Sequence, residues 1–427
     1  MKRKGLIKNS DLTGSSIENQ MFGSLANDTS YPKTNTTQTS EKAINITAMS
    51  IERKKVLFVI DTLQLGGAEQ SLLENTRRFK KIKPVVCHLY KGEILKSRFD
   101  DNGIKVHSFN IQQKYGFIEA YRKLKKVIEI EKPDLMVAYL TRSEIITRLI
   151  GRSSNIPVIG TFVNDLYCKS YNQHLSWKAR QLVSFFKLIN KATSKICVGF
   201  VSNSQSIKDA NAKHLGIQPQ KIMVINRGRD SHKFKTKIFT AETTHNPIRF
   251  LNVSRLFPVK GHRFMIMGFK KFVEQHPSSS LSIVGDGPLM KELTKLIKDN
   301  NLENNVFLLG ARNDVPALLA EYDCFVFPSL VEGFSGALVE AMFAGLPVLA
   351  SDISQNKEAV THMETGYLFH SESAEEIKSA MLWFQHNRDI ANNMAMKAHD
   401  YAKEHFELDK IVNSFENYLH TIISKSN

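Results

Sequence analysis

The sequence lacks any long apolar run. None of its 427 residues lies in an uninterrupted apolar stretch of membrane-spanning length, which is roughly 18 residues or more. The basic start MKRK is followed by the polar GLIKNSDLTGSS rather than by the apolar core of a signal peptide. The sequence therefore predicts neither a membrane-spanning helix nor a signal peptide.

Cysteine is scarce as well. The chain has four cysteines that lie far apart, with neither metal-ligand spacing nor the rhythm of a disulfide framework. Two of them stand inside apolar, strand-like runs, where a thiol behaves as a small buried apolar group. We expect reduced thiols and a cytoplasmic protein; the four residues are Cys87, Cys168, Cys197 and Cys324.

Acidic residues are few in one half of the chain only. Residues 51–240 hold 35 Lys and Arg against 15 Asp and Glu, whereas residues 241–427 hold 17 against 23. A basic half favours a polyanionic partner: nucleic acid, a lipid phosphate or an anionic membrane surface. Because no aromatic-glycine RNA motif, zinc spacing or basic recognition helix is present, we expect no nucleic-acid partner.

Alternating apolar runs and helical patterns divide the chain into four parts. Residues 1–52 are polar, without periodicity, and are predicted to form a disordered tail. Residues 53–236 and 237–407 each read as a doubly wound α/β domain, and the polar TKIFTAETTHNP marks the boundary between them. Residues 408–427 form a last helical stretch.

The stretch Phe327 to Leu346, FPSLVEGFSGALVEAMFAGL, carries the clearest chemical signal. An apolar strand enters it, and small residues then let the backbone approach a ligand where a helix begins, with free N–H groups facing an anion. Glu332 lies in the turn and Glu340 inside the helix, so one ligand about 10 Å long can touch both carboxylates. On spacing alone, solvated surface charges are an equal alternative.

Four blocks in fixed order resemble the nucleotide-binding half of the family 4 retaining glycosyltransferases of the GT-B fold. The resemblance covers residues 248–369 and implies two Rossmann-like lobes facing a cleft, the first binding the acceptor and the second a nucleotide-sugar. It also implies that the C-terminal helix crosses back onto the first lobe. The blocks are SRLFPVKG (Ser254 to Gly261), VGDGP (Val284 to Pro288), GARNDVPALLAEYDCFVFPS (Gly310 to Ser329) and the Glu332 to Glu340 pair.

The resemblance implies a role for each matching residue. Arg255 and Lys260 would hold the donor diphosphate, which removes the need for a metal, and no Asp-x-Asp or His/Asp cluster suggests one. Glu332 would bind hydroxyls of the donor sugar and Glu340 those of the ribose. The base would lie near Arg312, and the distal phosphate and sugar would meet the helix start, which comprises Gly333, Phe334, Ser335, Gly336 and Ala337.

The implied reaction keeps the anomeric configuration, and no side chain stands out as a covalent nucleophile. We therefore expect front-face departure and attack, with the leaving phosphate taking the acceptor proton. The donor would be a UDP-sugar or, as the second choice, a GDP-sugar, and no cofactor is expected. The acceptor would be a glycan or lipid-linked glycan of cell-surface polysaccharide or glycolipid synthesis.

Two glycines follow the first predicted strand, in QLGGAEQSLL. No GxGxxG is present, and two glycines alone are weak evidence for phosphate binding. In the family a similar loop of the first lobe faces the cleft, so Gly66 and Gly67 are predicted to line the site. Further on, Arg227 and Arg229 in INRGRD are predicted to be solvated surface cations.

One position departs from the family. Many members carry a histidine after the strand that reads IPVIGTF here, where it meets the reacting sugar, but this chain has Val163. Asp165, two residues on, fits either a polar role at the acceptor or ordinary turn chemistry. The departure leaves a competing hypothesis open, in which the chain is a catalytically silent GT-B binding subunit.

A basic helical stretch in the first half predicts peripheral docking on the inner face of the cytoplasmic membrane. Leu175 to Ala192 mixes aromatic and cationic side chains, as helices at the headgroup boundary do. Tyr121 to Val127 adds a second basic patch. The alternative is that the aromatics face the core; the residues are Trp177, Phe185 and Phe186 with Lys178, Arg180, Lys187 and Lys191.

Overall fold

The structure is a computed structural model that describes residues 53–173, 175–237 and 247–426. The predicted disordered tail, residues 1–52, lies outside the described residues, as does most of the polar segment predicted as the domain boundary. The described residues carry two parallel sheets flanked by helices, one in each half of the chain.

The first lobe is built on a seven-stranded parallel sheet whose inner strands are buried along most of their length, as strands covered on both faces are. Its strands are β1 Lys54–Ile60, β2 Ile82–Tyr90, β3 Lys105–Ile111, β4 Leu135–Tyr139, β5 Val158–Phe162, β6 Gly199–Ser202 and β7 Ile222–Val224. Its helices are α1 Gly67–Thr76, α2 Lys96–Asp100, α3 Phe117–Glu131, α4 Thr141–Ser154, α5 Lys169–Asn172, α6 Trp177–Thr193 and α7 Gln205–Leu215.

The second lobe repeats the plan with a six-stranded parallel sheet. Its strands are β8 Arg249–Val253, β9 Ser280–Val284, β10 Val306–Gly310, β11 Cys324–Phe327, β12 Val348–Ser351 and β13 Tyr367–Phe369. The remaining helices are α8 His262–Val273, α9 Met290–Asp299, α10 Val315–Glu321, α11 Gly336–Phe343, α12 Ser354–Lys357, α13 Ala374–His386, α14 Arg388–His405 and α15 Leu408–Ser426.

The strand order reverses once in each sheet. The orders are β3-β2-β1-β4-β5-β6-β7 and β10-β9-β8-β11-β12-β13, so the switch points lie between β1 and β4 and between β8 and β11. In open parallel sheets ligands bind outside the carboxyl ends of the strands at such a point. The loops after β1, β8 and β11 are therefore the places where site residues are expected.

The C-terminal helix α15 packs on the first lobe, as predicted. Phe415 is buried and its ring lies 5.9 Å from that of Phe79 and 6.5 Å from that of Phe58 on β1. The buried Glu416 carboxylate accepts the backbone N–H groups of Lys81 and Ile82, at 2.6 and 2.9 Å, where β2 begins. The last helix of the chain thus completes the core of the first lobe.

Sequence patterns missed three elements of the second lobe, namely β13, the four-residue helix α12 and α14. Strand β13 has only three residues, too few for a periodic signal. Helix α14 buries a face made mainly of alanine, with Ala391, Ala395, Ala398 and Ala402 among its buried residues. Small side chains give a weak amphipathic pattern, although they let α14 pack closely against α11.

We expect Phe415→Ala to lower the free energy of unfolding by about 3–5 kcal/mol, because it removes a buried ring and leaves a cavity between α15 and the sheet. Chemical denaturation monitored by circular dichroism measures the change. Asn413→Ala, on the exposed side of the same helix, is the matched control and should change stability by less than about 0.5 kcal/mol. Equal effects of the two substitutions would show that α15 does not stabilise the first lobe.

Candidate active site

The two central site residues follow adjacent strands of the second sheet. Lys260 ends the turn after β8, and Glu332 lies in the loop after β11. Because β8 and β11 pair in parallel, their loops leave the sheet side by side, and the Lys260 ammonium donates to the Glu332 carboxylate. Both side chains are largely buried, so each charge depends on the other for its compensation.

Helix α11 begins directly after Glu332 and is fixed at its N-terminus. The Ser335 hydroxyl caps it by accepting the backbone N–H of Leu338 at 3.3 Å. The preceding Phe334 is buried and packs its ring 5.1 Å from that of Phe406. The first turn of α11 is therefore held rigidly, with its N–H groups at the edge of the second lobe, where an anion is stabilised.

The two lobes meet at Gly333. A Cβ built on this residue would lie 1.9 Å from the carbonyl oxygen of Val163, so only glycine fits. The Asn203 side-chain amide donates to the same carbonyl at 3.0 Å. The end of β5 in the first lobe is thereby fixed against the loop that carries Glu332.

Val163 occupies the position where many family members have a histidine. Its side chain packs against the first-lobe core, which leaves no titratable group there. Asp165 accepts the backbone N–H of Tyr167 at 2.9 Å and lies 3.5 Å from His214 Nε2. Of the two interpretations of Asp165, the structure therefore supports turn chemistry.

The glycine pair of the first lobe stands where α1 begins. Gly66 is the N-cap residue and Gly67 the first residue of the helix. The buried Glu69 carboxylate folds back over Gly66, close to the position a Cβ would take, and burial raises the pKa of Glu69. Both glycines thus lie at a helix N-terminus beside β1, next to the first-lobe switch point.

The prediction that Arg227 and Arg229 are solvated surface cations is wrong. Arg227 Nη1 donates to the Phe334 carbonyl at 3.3 Å, and Arg229 Nε donates to Glu340 Oε1 at 2.6 Å. Both bonds cross from the first lobe to the second. Sequence reasoning missed them because the partners are more than 100 residues away in the chain.

Arg255 and Arg312 are less enclosed than the other predicted site residues. Arg255 is exposed, and its guanidinium lies 5.0 Å from the centre of the Phe257 ring. Arg312 is exposed and paired with Asp314, Nε to Oδ1 at 2.8 Å. The structure therefore pairs Lys260 with Glu332 and Glu340 with Arg229 of the first lobe, whereas Arg312 is held in a local ion pair at the end of β10.

One supporting residue, His262, gave no signal in the sequence. It is buried at the start of α8, and its Nε2 lies 2.9 Å from the hydroxyl of Ser254 in the loop after β8. Burial, together with the nearby Lys260 ammonium, lowers the pKa of His262 to about 4. The imidazole is therefore neutral at physiological pH and acts as a hydrogen-bonding support for the loop that carries Arg255.

A cavity of about 460 Å³ opens in the first lobe on the other side of Val163. Helix α6 covers it, and the carboxyl ends of β1, β4 and β5 form its floor. One end is polar, with Asp61, Arg142 and Glu144, and the Asp61 carboxylate is held by Arg142 Nε at 2.9 Å. The lining also contains apolar and aromatic residues, which include Tyr115, Leu166, Tyr167, Tyr171, Leu182 and Phe186.

Two family models divide the chain between them. The model "Glycosyltransferase Family 4" matches residues 65–233, and "Glycosyl transferases group 1" matches residues 234–405. The chain is 28% identical over 326 residues to an Escherichia coli UDP-Gal:alpha-D-GlcNAc-diphosphoundecaprenol alpha-1,3-galactosyltransferase, which covers 74% of this chain and 81% of that protein.

Solved structures show the same architecture. HepE of Anabaena, crystallised with UDP, superposes with a TM-score of 0.73 at 23% identity, covering 86% of this chain and 100% of that one. Sucrose-phosphate synthase of Thermosynechococcus elongatus superposes at 0.72 with 15% identity, covering 87% and 100%. With both lobes matched in sequence and in fold, the chain belongs to the family 4 glycosyltransferases of the GT-B fold.

Proposed function

We propose that this glycosyltransferase transfers a sugar from a nucleotide-sugar, with UDP as the favoured nucleotide, to a lipid-linked glycan, and retains the anomeric configuration. The observation that carries the proposal is that the Lys260–Glu332 pair and the Glu340–Arg229 pair lie where the second lobe meets the first, at the contact between Gly333 and Val163. UDP is favoured over GDP because HepE binds UDP and the Escherichia coli relative is named for a UDP-sugar.

The donor would lie along the second lobe. Its ribose hydroxyls would donate to Glu340 and its sugar hydroxyls to Glu332, since a carboxylate has lone pairs beyond those used by one cation. Arg255, Lys260 and the N-terminus of α11 would surround the diphosphate, where negative charge grows as the glycosidic bond breaks. Arg255 and Lys260 follow β8 and helix α11 follows β11, so all of these groups lie at the switch point between the two strands.

The reaction would proceed on one face of the sugar. The bond between the anomeric carbon and the β-phosphate oxygen breaks, the acceptor oxygen forms a bond to that carbon on the same face, and the acceptor proton moves to the departing phosphate. Val163 offers no base, which fits a mechanism in which the leaving group takes the proton. The carbonyl of Val163, held by Asn203, keeps the backbone close to the reacting centre.

The acceptor would occupy the cavity beneath α6. Its lining combines charged residues with apolar and aromatic ones, and such a lining suits a molecule with a sugar head and a lipid part. The named substrate of the Escherichia coli relative is a glycan on diphosphoundecaprenol. A lipid-linked acceptor of polysaccharide or glycolipid synthesis therefore fits the site better than a free sugar.

Helix α6 would dock this lobe on an anionic membrane. Trp177 and Phe185 are 71% and 57% exposed, and Leu188 is 68% exposed, so the alternative that these aromatics fill the core does not hold for them. Phe186, on the inner side, lines the cavity. No acidic residue occurs between residues 175 and 195, which contain five lysines and arginines. None of the described helices is long and apolar enough to cross a membrane.

The donor site predicts that Glu340→Ala and Arg255→Ala each lower kcat/KM by about 30- to 1000-fold, because a lost charged contact costs about 2–4 kcal/mol in a closed site. The value of kcat/KM is measured from the transfer of labelled sugar from a radiolabelled nucleotide-sugar to a lipid-linked acceptor. Lys295→Ala, an exposed cation of the same lobe, is the control. Unchanged turnover in both variants would contradict the donor-site assignment.

Activity is expected to survive chelation, because Arg255, Lys260 and the α11 N-terminus supply positive charge at the diphosphate. Within the described residues, no group of three or more His, Cys, Asp or Glu is arranged to hold a metal ion. Transfer is measured in EDTA and again after addition of Mg²⁺ or Mn²⁺. Loss of activity in EDTA that either metal restores would show that these cations do not suffice.

Docking predicts binding to anionic but not to neutral vesicles, weakening with salt, because each Lys or Arg near the surface contributes about 1 kcal/mol and salt screens it. Co-sedimentation measures the bound fraction. The double substitution Trp177→Ser and Phe185→Ser should weaken binding about tenfold or more, whereas Ile390→Ser, an exposed apolar control in the second lobe, should not. If the protein co-sediments equally with anionic and neutral vesicles, or binds to neither, docking on an anionic membrane is contradicted.

A further inference from the structure

Two arginines of the first lobe reach into the donor cleft and face the N-termini of two helices. A Cβ built on Gly67, the first residue of α1, would lie 2.8 Å from Arg227 Nη1. A Cβ built on Gly336, the first residue of α11, would lie 1.6 Å from Arg229 Nη2. Each guanidinium therefore lies against a helix end that itself carries partial positive charge.

Cations are disfavoured at helix N-termini, so this arrangement needs negative charge nearby. Glu340 supplies some of it through its bond to Arg229, and the two side chains are 21% and 22% exposed. The Glu332 carboxylate is already paired with Lys260. Arg227 has Glu332 and Glu69 nearby, yet burial, followed by repulsion from Arg229, still lowers its pKa to about 10.

The backbone fixes Arg229 at the point where the chain passes between the lobes. Its N–H donates to the Phe406 carbonyl at 2.9 Å, and its carbonyl accepts from Leu408 at 3.0 Å, just before α15 begins. The residue is thus anchored to the segment that connects α14 to α15. Its side chain donates from Nη1 to the Gly228 carbonyl at 2.9 Å and from Nε to Glu340 at 2.6 Å, and the bond to Glu340 is the one that a ligand at Glu340 would replace.

We propose that Arg229 and Arg227 bind the donor diphosphate from the first-lobe side, and that Arg229 exchanges Glu340 for the diphosphate when the ribose occupies Glu340. This inference rests on the proposed function, because it concerns the same nucleotide-sugar site. In the structure Arg229 neutralises the Glu340 carboxylate, which is proposed to receive the ribose. The ribose hydroxyls then replace Arg229 as the partner of Glu340. The Arg229 guanidinium already lies at the N-terminus of α11, within reach of the phosphates.

The exchange has a chemical rationale. A guanidinium binds phosphate with two parallel hydrogen bonds, whereas the Nε contact to Glu340 uses one. Arg227 lies between Gly67 and the Phe334 carbonyl, where it adds a second positive charge beside that of Arg229.

The test compares ligands that differ only in their phosphates. Binding of UDP, UMP and uridine is measured by calorimetry, with GDP or ADP and their counterparts used instead if either binds more tightly than UDP. Arg229→Gln should lower the affinity for the diphosphate about tenfold or more, and leave that for the nucleoside unchanged or higher, since Glu340 is released. Arg227→Gln should lower the affinity for the diphosphate and leave that for the nucleoside unchanged.

Arg98→Gln, an exposed arginine of the same lobe, is the matched control and should change neither affinity. Arg229→Lys keeps the charge and should retain part of the diphosphate affinity, and thermal unfolding of each free variant reports whether it is folded. In a Glu340→Gln background, Arg229→Gln should still weaken diphosphate binding, because the phosphate contact does not depend on Glu340.

The outcomes separate this inference from the proposed function. If the unsubstituted protein binds none of UDP, GDP and ADP, the nucleotide-sugar function itself is overturned. If it binds a diphosphate and Arg229→Gln leaves that affinity unchanged, only the inference is overturned. Equal loss of affinity for diphosphate and nucleoside would overturn it too, because Arg229 would then merely position Glu340.

Discussion

The active site depends on one close contact, in which the Cα of Gly333 lies against the carbonyl oxygen of Val163. Any side chain at residue 333 would push the lobes apart, and the loop that carries Glu332 would move with it. On one side of the contact are the charged residues Lys260 and Glu332, and on the other is the cavity beneath α6. The contact between Gly333 and Val163 therefore sets how the two sides of the site are placed relative to each other.

Much of the fold could be predicted from the sequence, because buried parallel strands are continuous apolar runs and helices between them are amphipathic. Helix α15 was predicted for the same reason, since it buries a stripe that includes Val412, Phe415 and Leu419. Helix α14 was not predicted because its buried face consists mainly of alanine. Short elements and faces made of small residues give little periodic signal, whatever their importance for packing.

The candidate site was predictable only where its residues are neighbours in the chain. Glu332, Ser335 and Glu340 stand in one loop and helix, and the resemblance to a known family assigned them together. Lys260 and Glu332 form a pair that strand order explains, since β8 and β11 are adjacent in the sheet. Arg229 was misjudged because its partner Glu340 is 111 residues away, and a pattern of local charge carries no information about such a contact.

The lysine and arginine side chains of the first lobe lie in three kinds of surroundings, which composition cannot distinguish. Some cations are consumed inside the lobe, as in the buried pair of Arg148 with Glu144 at 3.0 Å. Others, such as Arg227, reach the second lobe, where burial and the neighbouring Arg229 lower the pKa of the guanidinium. The remainder lies on exposed surfaces such as α6, beside Trp177 and Phe185. Only the last group can act on a membrane, so an excess of lysine and arginine gains functional meaning when the fold shows which charges are already paired.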